Sequence, residues 1–285
     1  MKREVTVACP GAGKTTYITD KAIKALDHKD VLFLTFTKAA AEEATKRIRA
    51  AYPGLTAKQA HKFVRTLNSW GNEFVGLKVN HLMGLYDYNA VLSSLGYAKI
   101  PYLGNTYVAG TRVMQSNSQE IISAHDYWRL TNGKYLKGKI EGHEISAFDD
   151  ALHKYKMREG KIDFFDQLRL AKEKLEEYVP KYDCIFVDEC NDLGNYHWSI
   201  IDKLKDSAKE YYVVGDDDQA IYTFAGADPA RFIAYGNEGF DINYLTKSHR
   251  VPQIILDKAV PLLDHVGERY AKDIVASSKN RKGKI

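Results

Sequence analysis

Apolar residues along this chain fall into two kinds of run. Val5–Ala8, Val31–Thr37, Cys184–Asp188 and Tyr211–Gly215 are short and nearly unbroken, rich in β-branched and aromatic side chains. Runs of this kind predict strands covered on both faces, as in a parallel sheet. Between them apolar residues recur at helical spacing. Ile18, Ala22, Ile23 and Leu26 share one face, Lys38–Ala50 is rich in Ala, Glu, Lys and Arg, and a further helix falls around Tyr196–Leu204. Lys62–Thr66 reads as another short strand. Strands interleaved with helices predict an α/β fold, a mostly parallel sheet flanked by helices. From about Gly71 to Ser146 the pattern breaks down, with Tyr, Asn, Gly and Ser dominant and periodicity poor. That stretch predicts a mainly helical subdomain of 71–146, inserted into a core made of 1–70 and 147–245.

Candidate chemistry sits at the ends of these strands. Ala8-Cys9-Pro10-Gly11-Ala12-Gly13-Lys14-Thr15-Thr16 lies between the first strand and the first helix, the context that a phosphate-binding loop requires. Glycines let successive N–H groups converge on an anion, and the helix N-terminus adds the positive end of its dipole. Lys14 then reaches the β and γ phosphates, and the Thr15 hydroxyl is placed to ligate Mg²⁺. The strand Cys184–Asp188 ends in two carboxylates: Asp188 is the candidate for the metal and Glu189 for the base that takes a proton from the attacking water. A plainer reading of such a pair is a helix cap. Three consecutive aspartates, Asp216 to Asp218, repel one another, which argues against a purely structural role. With Gln219 behind them they suggest a sensor of the γ-phosphate. Arg250, in Thr246–Pro252, is a further candidate for a phosphate contact, although isolated surface arginines are usually only solvated.

Composition narrows the setting. The chain has 285 residues, 45% hydrophobic and 27% charged, a globular balance long enough for one large domain or two smaller ones. Its net charge of +4 is compatible with nucleic acid and does not argue for it alone. Cys9, Cys184 and Cys190 lack metal-ligand spacing and read as reduced thiols. No run is long enough for a signal peptide or a membrane span, so the expectation is a soluble cytoplasmic protein with no membrane partner.

Taken in order, these segments resemble the UvrD/Rep-type superfamily 1 DNA helicases. A-C-P-G-A-G-K-T-T is similar to motif I, T-F-T-K-A-A-A-E-E-A (35–44) to motif Ia, and R-T-L-N-S-W (65–70) to the T-x-H-S-F segment. D-F-F-D-Q-L (163–168), V-D-E-C-N-D (187–192), G-D-D-D-Q-A-I-Y-T-F-A-G-A (215–227) and L-T-K-S-H-R (245–250) resemble the elements that follow, in the family's order. The resemblance implies a RecA-like core that uses ATP and Mg²⁺ to move 3′ to 5′ along single-stranded DNA and open tailed duplexes. It assigns Mg-ATP chemistry to Lys14, Thr15, Asp188 and Glu189, coupling to Gln219, and a γ-phosphate contact to Arg250. His249 stands where the family has a Tyr that stacks on adenine. Phe36, Thr37, Ser69, Trp70 and Phe224 fall at DNA-facing positions, where base stacking is worth about 1–3 kcal/mol per base; for Phe36 and Trp70 the plainer reading is core packing. Residues 246–285 are expected to open a second RecA-like core. The chain is accordingly expected to hydrolyse ATP feebly and to need that second core, for instance from another polypeptide. Two other expectations compete: a non-catalytic nucleic-acid-binding or regulatory module with a vestigial nucleotide site, and a small-molecule P-loop kinase.

Overall fold

The computed structural model describes residues 2–27, 29–101, 103, 117–135, 140–223 and 226–280. Six strands form one sheet: β1 (Lys2–Ala8), β2 (Val31–Thr35), β3 (Val64–Thr66), β4 (Tyr182–Val187), β5 (Ala208–Gly215) and β6 (Asp241–Leu245). Their order is β3-β2-β4-β5-β1-β6, and every pairing is parallel. The chain is thus α/β, with the parallel sheet that the apolar runs predict.

Period-two alternation divides the strand residues between two cores. Phe33, Phe186, Tyr212 and Val214 face α1 (Lys14–Leu26) and α2 (Lys38–Ala51), where Ile18, Ala22 and Ile48 complete one buried cluster. Leu32, Leu34, Ile185, Val187 and Val213 face the other way, toward α4 (Leu67–Val75), α8 (Phe164–Glu177) and α9 (Asn195–Ser207). Between these faces the central strands are almost sealed from water, which is why their sequences lack polar alternation. The short α3 (Ala57–Ala60) precedes β3. The strand expected over 62–66 is shorter, beginning at Val64.

A separate buried cluster gathers Met83, Tyr88, Val91, Leu92, Ile100, Ile121, Ile145, Phe148, Leu152 and Tyr155. These residues come chiefly from α5 (Leu85–Ser94), α6 (Asn117–Leu130) and α7 (Gly142–Glu159). Past β5, α10 (Ala230–Ala234) leads to β6. The segment assigned from sequence to the opening of a second core contains β7 (Lys247–Ser248), α11 (Gln253–Ala259) and β8 (Val275–Ala276). β7 and β8 pair with each other, and Leu256 and Ile274 pack on Cys9.

Because all six strands run the same way, the loops after β1, β2, β3, β4 and β5 emerge along one edge of the sheet. Every candidate residue from Ala8 to Gln219 lies on or next to one of those loops. Ligands of open parallel sheets gather at this carboxyl edge.

Candidate nucleotide site

The loop after β1 is shaped by two left-handed glycines. Gly13, at φ 85°, caps α1, and Gly11 has φ 73°; only glycine takes such angles without strain. A Cβ on Gly11 would also lie 2.5 Å from the Cβ of Arg250. The loop is tied to the segment after β6 by several bonds. Cys9 N donates to Leu245 O at 2.9 Å, Ser248 Oγ to Pro10 O at 2.7 Å, and His249 N to Gly11 O at 2.9 Å. His249 and Arg250 are exposed above the loop.

Lys14 and Thr15 begin α1, and the carboxylates after β4 face them. Lys14 Nζ stands 3.6 Å from Glu189 Oε2. Glu189 has φ 53° and ψ 47°, a left-handed conformation uncommon for a non-glycine residue. Strain of this kind concentrates at functional sites. Asp188 is fully buried, and Glu189 N donates to its Oδ1 at 2.9 Å. Its Oδ2 is buried without a hydrogen-bond partner. Burial, and then the charge of Glu189, push the Asp188 carboxyl up to about 7, although the Thr15 hydroxyl opposes the rise. A buried carboxylate oxygen without a partner, beside a threonine hydroxyl and a lysine, is a donor set that fits a divalent cation. Asp192 is likewise pushed up to about 6 by burial and by Glu189.

The loops after β4 and β5 are joined by Asn191, whose Oδ1 accepts from Asp216 N at 3.1 Å. Gln219 donates through Nε2 to Asp216 Oδ2, so its amide is held within its own loop. The charge at 216–218 is compensated in a way the sequence reading did not foresee. Lys272 Nζ lies 2.7 Å from Asp216, 2.6 Å from Asp217 and 2.7 Å from Asp218, with its side chain fully buried. Arg269 grips Asp218 with two nitrogens, at 2.6 and 2.9 Å. The supposed repulsion is therefore absent, and with it the argument that these aspartates are unsuited to a structural role. The three carboxylates converge closely enough to hold a metal, but the Lys272 ammonium already provides the cation. Three adjacent acids were the available signal, since such a group demands a nearby base.

The DNA-facing candidates are scattered in character. Thr37 is exposed and caps α2, accepting from Ala40 N at 3.1 Å. Ser69 is exposed on the first turn of α4. Phe36 is half-buried and meets His197 edge-on, with ring centroids 5.5 Å apart. Trp70 is in the core instead: it is 4% exposed, stacks on Phe74 at 4.9 Å and donates from its indole nitrogen to Tyr182. Its neighbours on α4 and β4 close over it, so the plainer reading holds for this residue. Phe224 lies outside the described residues.

The UvrD/REP helicase N-terminal domain family matches residues 2–238, nearly the whole parallel-sheet core just described. The chain belongs to this family. Its match to the ATP-dependent DNA helicase PcrA of Leuconostoc citreum is 25% identical over 295 residues, 94% of the chain and 38% of that protein. PcrA of Staphylococcus aureus is 24% identical over 301 residues, covering 96% of the chain and 40% of the relative. A Bacillus subtilis protein named YjcD is 24% identical over 293 residues, 96% and 38% respectively. The chain spans about two fifths of the length of these curated relatives. Among the described residues no helix is long and apolar enough to cross a membrane.

Proposed function

We propose that this chain is the first core of an ATP-driven motor that travels 3′ to 5′ along single-stranded DNA. The observation that carries the reading is the meeting of Lys14, Thr15, Asp188 and Glu189 at the carboxyl edge of the sheet, with Asp188 Oδ2 unsatisfied. In this reading the loop N–H groups and the N-terminus of α1 receive the phosphates, and Lys14 neutralises the β and γ oxygens. The Thr15 hydroxyl and Asp188 hold Mg²⁺, which when bound offsets the charge on the transferred phosphoryl group. Phosphate draws Lys14 off Glu189, and the freed carboxylate accepts a proton from the attacking water. Gln219 and Arg250 flank the γ-phosphate, and His249 packs beside the adenine. Phe36, Thr37 and Ser69 form part of the path for single-stranded DNA, with Phe224 assigned to it on sequence resemblance alone.

Aromatic stacking at such a path favours single strands without regard to sequence. The matched family is the N-terminal domain of much longer relatives. Unwinding is therefore proposed to need a second RecA-like core that closes on the nucleotide, in the same or another polypeptide, so the first core by itself should turn over ATP weakly.

The test is ATP turnover with and without single-stranded DNA, alongside nucleotide binding by native protein and Lys14→Ala. Weak turnover that DNA raises, and that Lys14→Ala abolishes, supports the motor. Nucleotide binding with no turnover, even when the second core is supplied, supports a non-catalytic module. Unaltered binding by Lys14→Ala removes that residue from the site.

A further inference from the structure

We infer that Lys272 is a positioning residue that joins the loop bearing Gln219 to the segment bearing Arg250 across the mouth of the nucleotide site. The inference rests on the nucleotide reading given above.

Lys272 does more than balance charge. Its ammonium touches all three carboxylates of 216–218 and also approaches Ala8 O, at 3.4 Å, the last residue of β1 before the phosphate loop. The same stretch of chain fastens that acidic loop at two further points. Arg269 holds Asp218, and Tyr270 N donates to Asp217 Oδ2 at 2.6 Å. A few residues on, this stretch becomes β8, and its partner is β7, which contains Ser248. Ser277 N donates to Ser248 O at 2.7 Å, and Asn280 Nδ2 donates to Ser248 O at 2.9 Å and Val251 O at 2.8 Å. Ser248 in turn is bonded to Pro10, and His249 to Gly11.

Residues 269–280 therefore form a strap. One end is clamped to the loop whose Asp216 holds the Gln219 amide, and the other to the segment that places Arg250 over Gly11. Buried ion networks have few alternative arrangements, because each charge that lost its partner would stand uncompensated. A displacement of Arg250 by phosphate is thus carried through β7 and β8 to Lys272 and on to Gln219. Lys272 touches neither phosphate nor DNA in this scheme and acts through the aspartates.

Hydrogen exchange of the whole chain, with and without Mg²⁺ and a non-hydrolysable ATP analogue, tests the strap. In the native protein the analogue should slow exchange over 9–17 and, together with it, over 214–222 and 268–277. Lys272→Met should keep analogue affinity within about threefold and keep protection at 9–17, yet lose the response at 214–222. A substitution that merely loosened the fold would raise exchange there without nucleotide and leave the analogue-induced difference in place. A retained response in Lys272→Met overturns the proposal. So does a native chain protected at 9–17 and unresponsive at the other two segments. Should Lys272→Met fail to fold, Arg269→Gln, which removes the more accessible clamp, carries the same test, and an unchanged response at 214–222 overturns the strap. A native chain with no protection at 9–17 overturns the nucleotide reading itself, and the strap falls with it.

Discussion

Lys14 and Glu189 form an ion pair of 3.6 Å between the first helix and the loop after β4. Each is therefore occupied by the other until a phosphate competes for the lysine. Lys14→Ala should weaken nucleotide binding by about 1.5–3 kcal/mol, roughly 10- to 100-fold in Kd. Glu189→Gln should bind nucleotide at least as well as the native chain, because the lysine is released. Its turnover should fall by about 10²- to 10⁴-fold, the usual worth of a general base. Equilibrium binding and single-turnover hydrolysis check both; a Glu189→Gln protein with native turnover would take that carboxylate out of the chemistry.

Asp188 should be a liability to the empty fold. Its carboxyl is buried, one oxygen lacks a partner, and the group is pushed up to about 7. Asp188→Asn at pH 8 should raise stability to urea without Mg²⁺, on the order of 1–3 kcal/mol, and abolish the dependence of nucleotide binding on Mg²⁺. A destabilised variant that still binds in a Mg²⁺-dependent way would contradict this.

His197 supplies the pH dependence. Burial holds its imidazole down to about 4, and Nδ1 accepts from Gly194 N at 3.1 Å, so protonation would place a proton on the accepting nitrogen. The folded value lies below the unfolded one near 6.5. The stabilisation is therefore complete above pH 6.5 and drains away as pH falls toward 4, by up to about 1.4 kcal/mol per unit. His197→Gln should flatten that slope in urea titrations run between pH 7.5 and 4.5.

Trp70→Ala should cost about 3–5 kcal/mol of stability, as large core truncations do, while the folded fraction keeps its affinity for single-stranded DNA in anisotropy measurements. Reduced DNA affinity in a fully stable variant would return this residue to the DNA path.

What could be read from the sequence was what is local. Gly13-Lys14-Thr15 between strand and helix, and Asp188-Glu189 at the end of another, signal themselves because the chemistry needs neighbours in the chain. The continuous apolar strands were legible for a similar reason, since a sheet covered on both faces leaves no polar positions. Lys272 was not legible: 55 residues separate it from Asp217, and an isolated lysine carries no periodicity. Trp70 has the same composition whether it stacks on a base or on Phe74, and only the packing of α4 decides. Helices in 71–146 were obscured because α6 buries Ser118, Gln119, Ser123 and His125 among its apolar residues, which blurs the binary pattern. The left-handed backbone of Glu189 leaves no mark in composition at all.

The bonds from Cys9, Pro10 and Gly11 to residues 245–249 have a kinetic consequence. A loop laced to that segment keeps its curvature in the absence of any guest, so little ordering entropy remains to be lost on capture. Association of a phosphate-bearing molecule should then approach the encounter rate, and differences among nucleotides should show in how long each one stays.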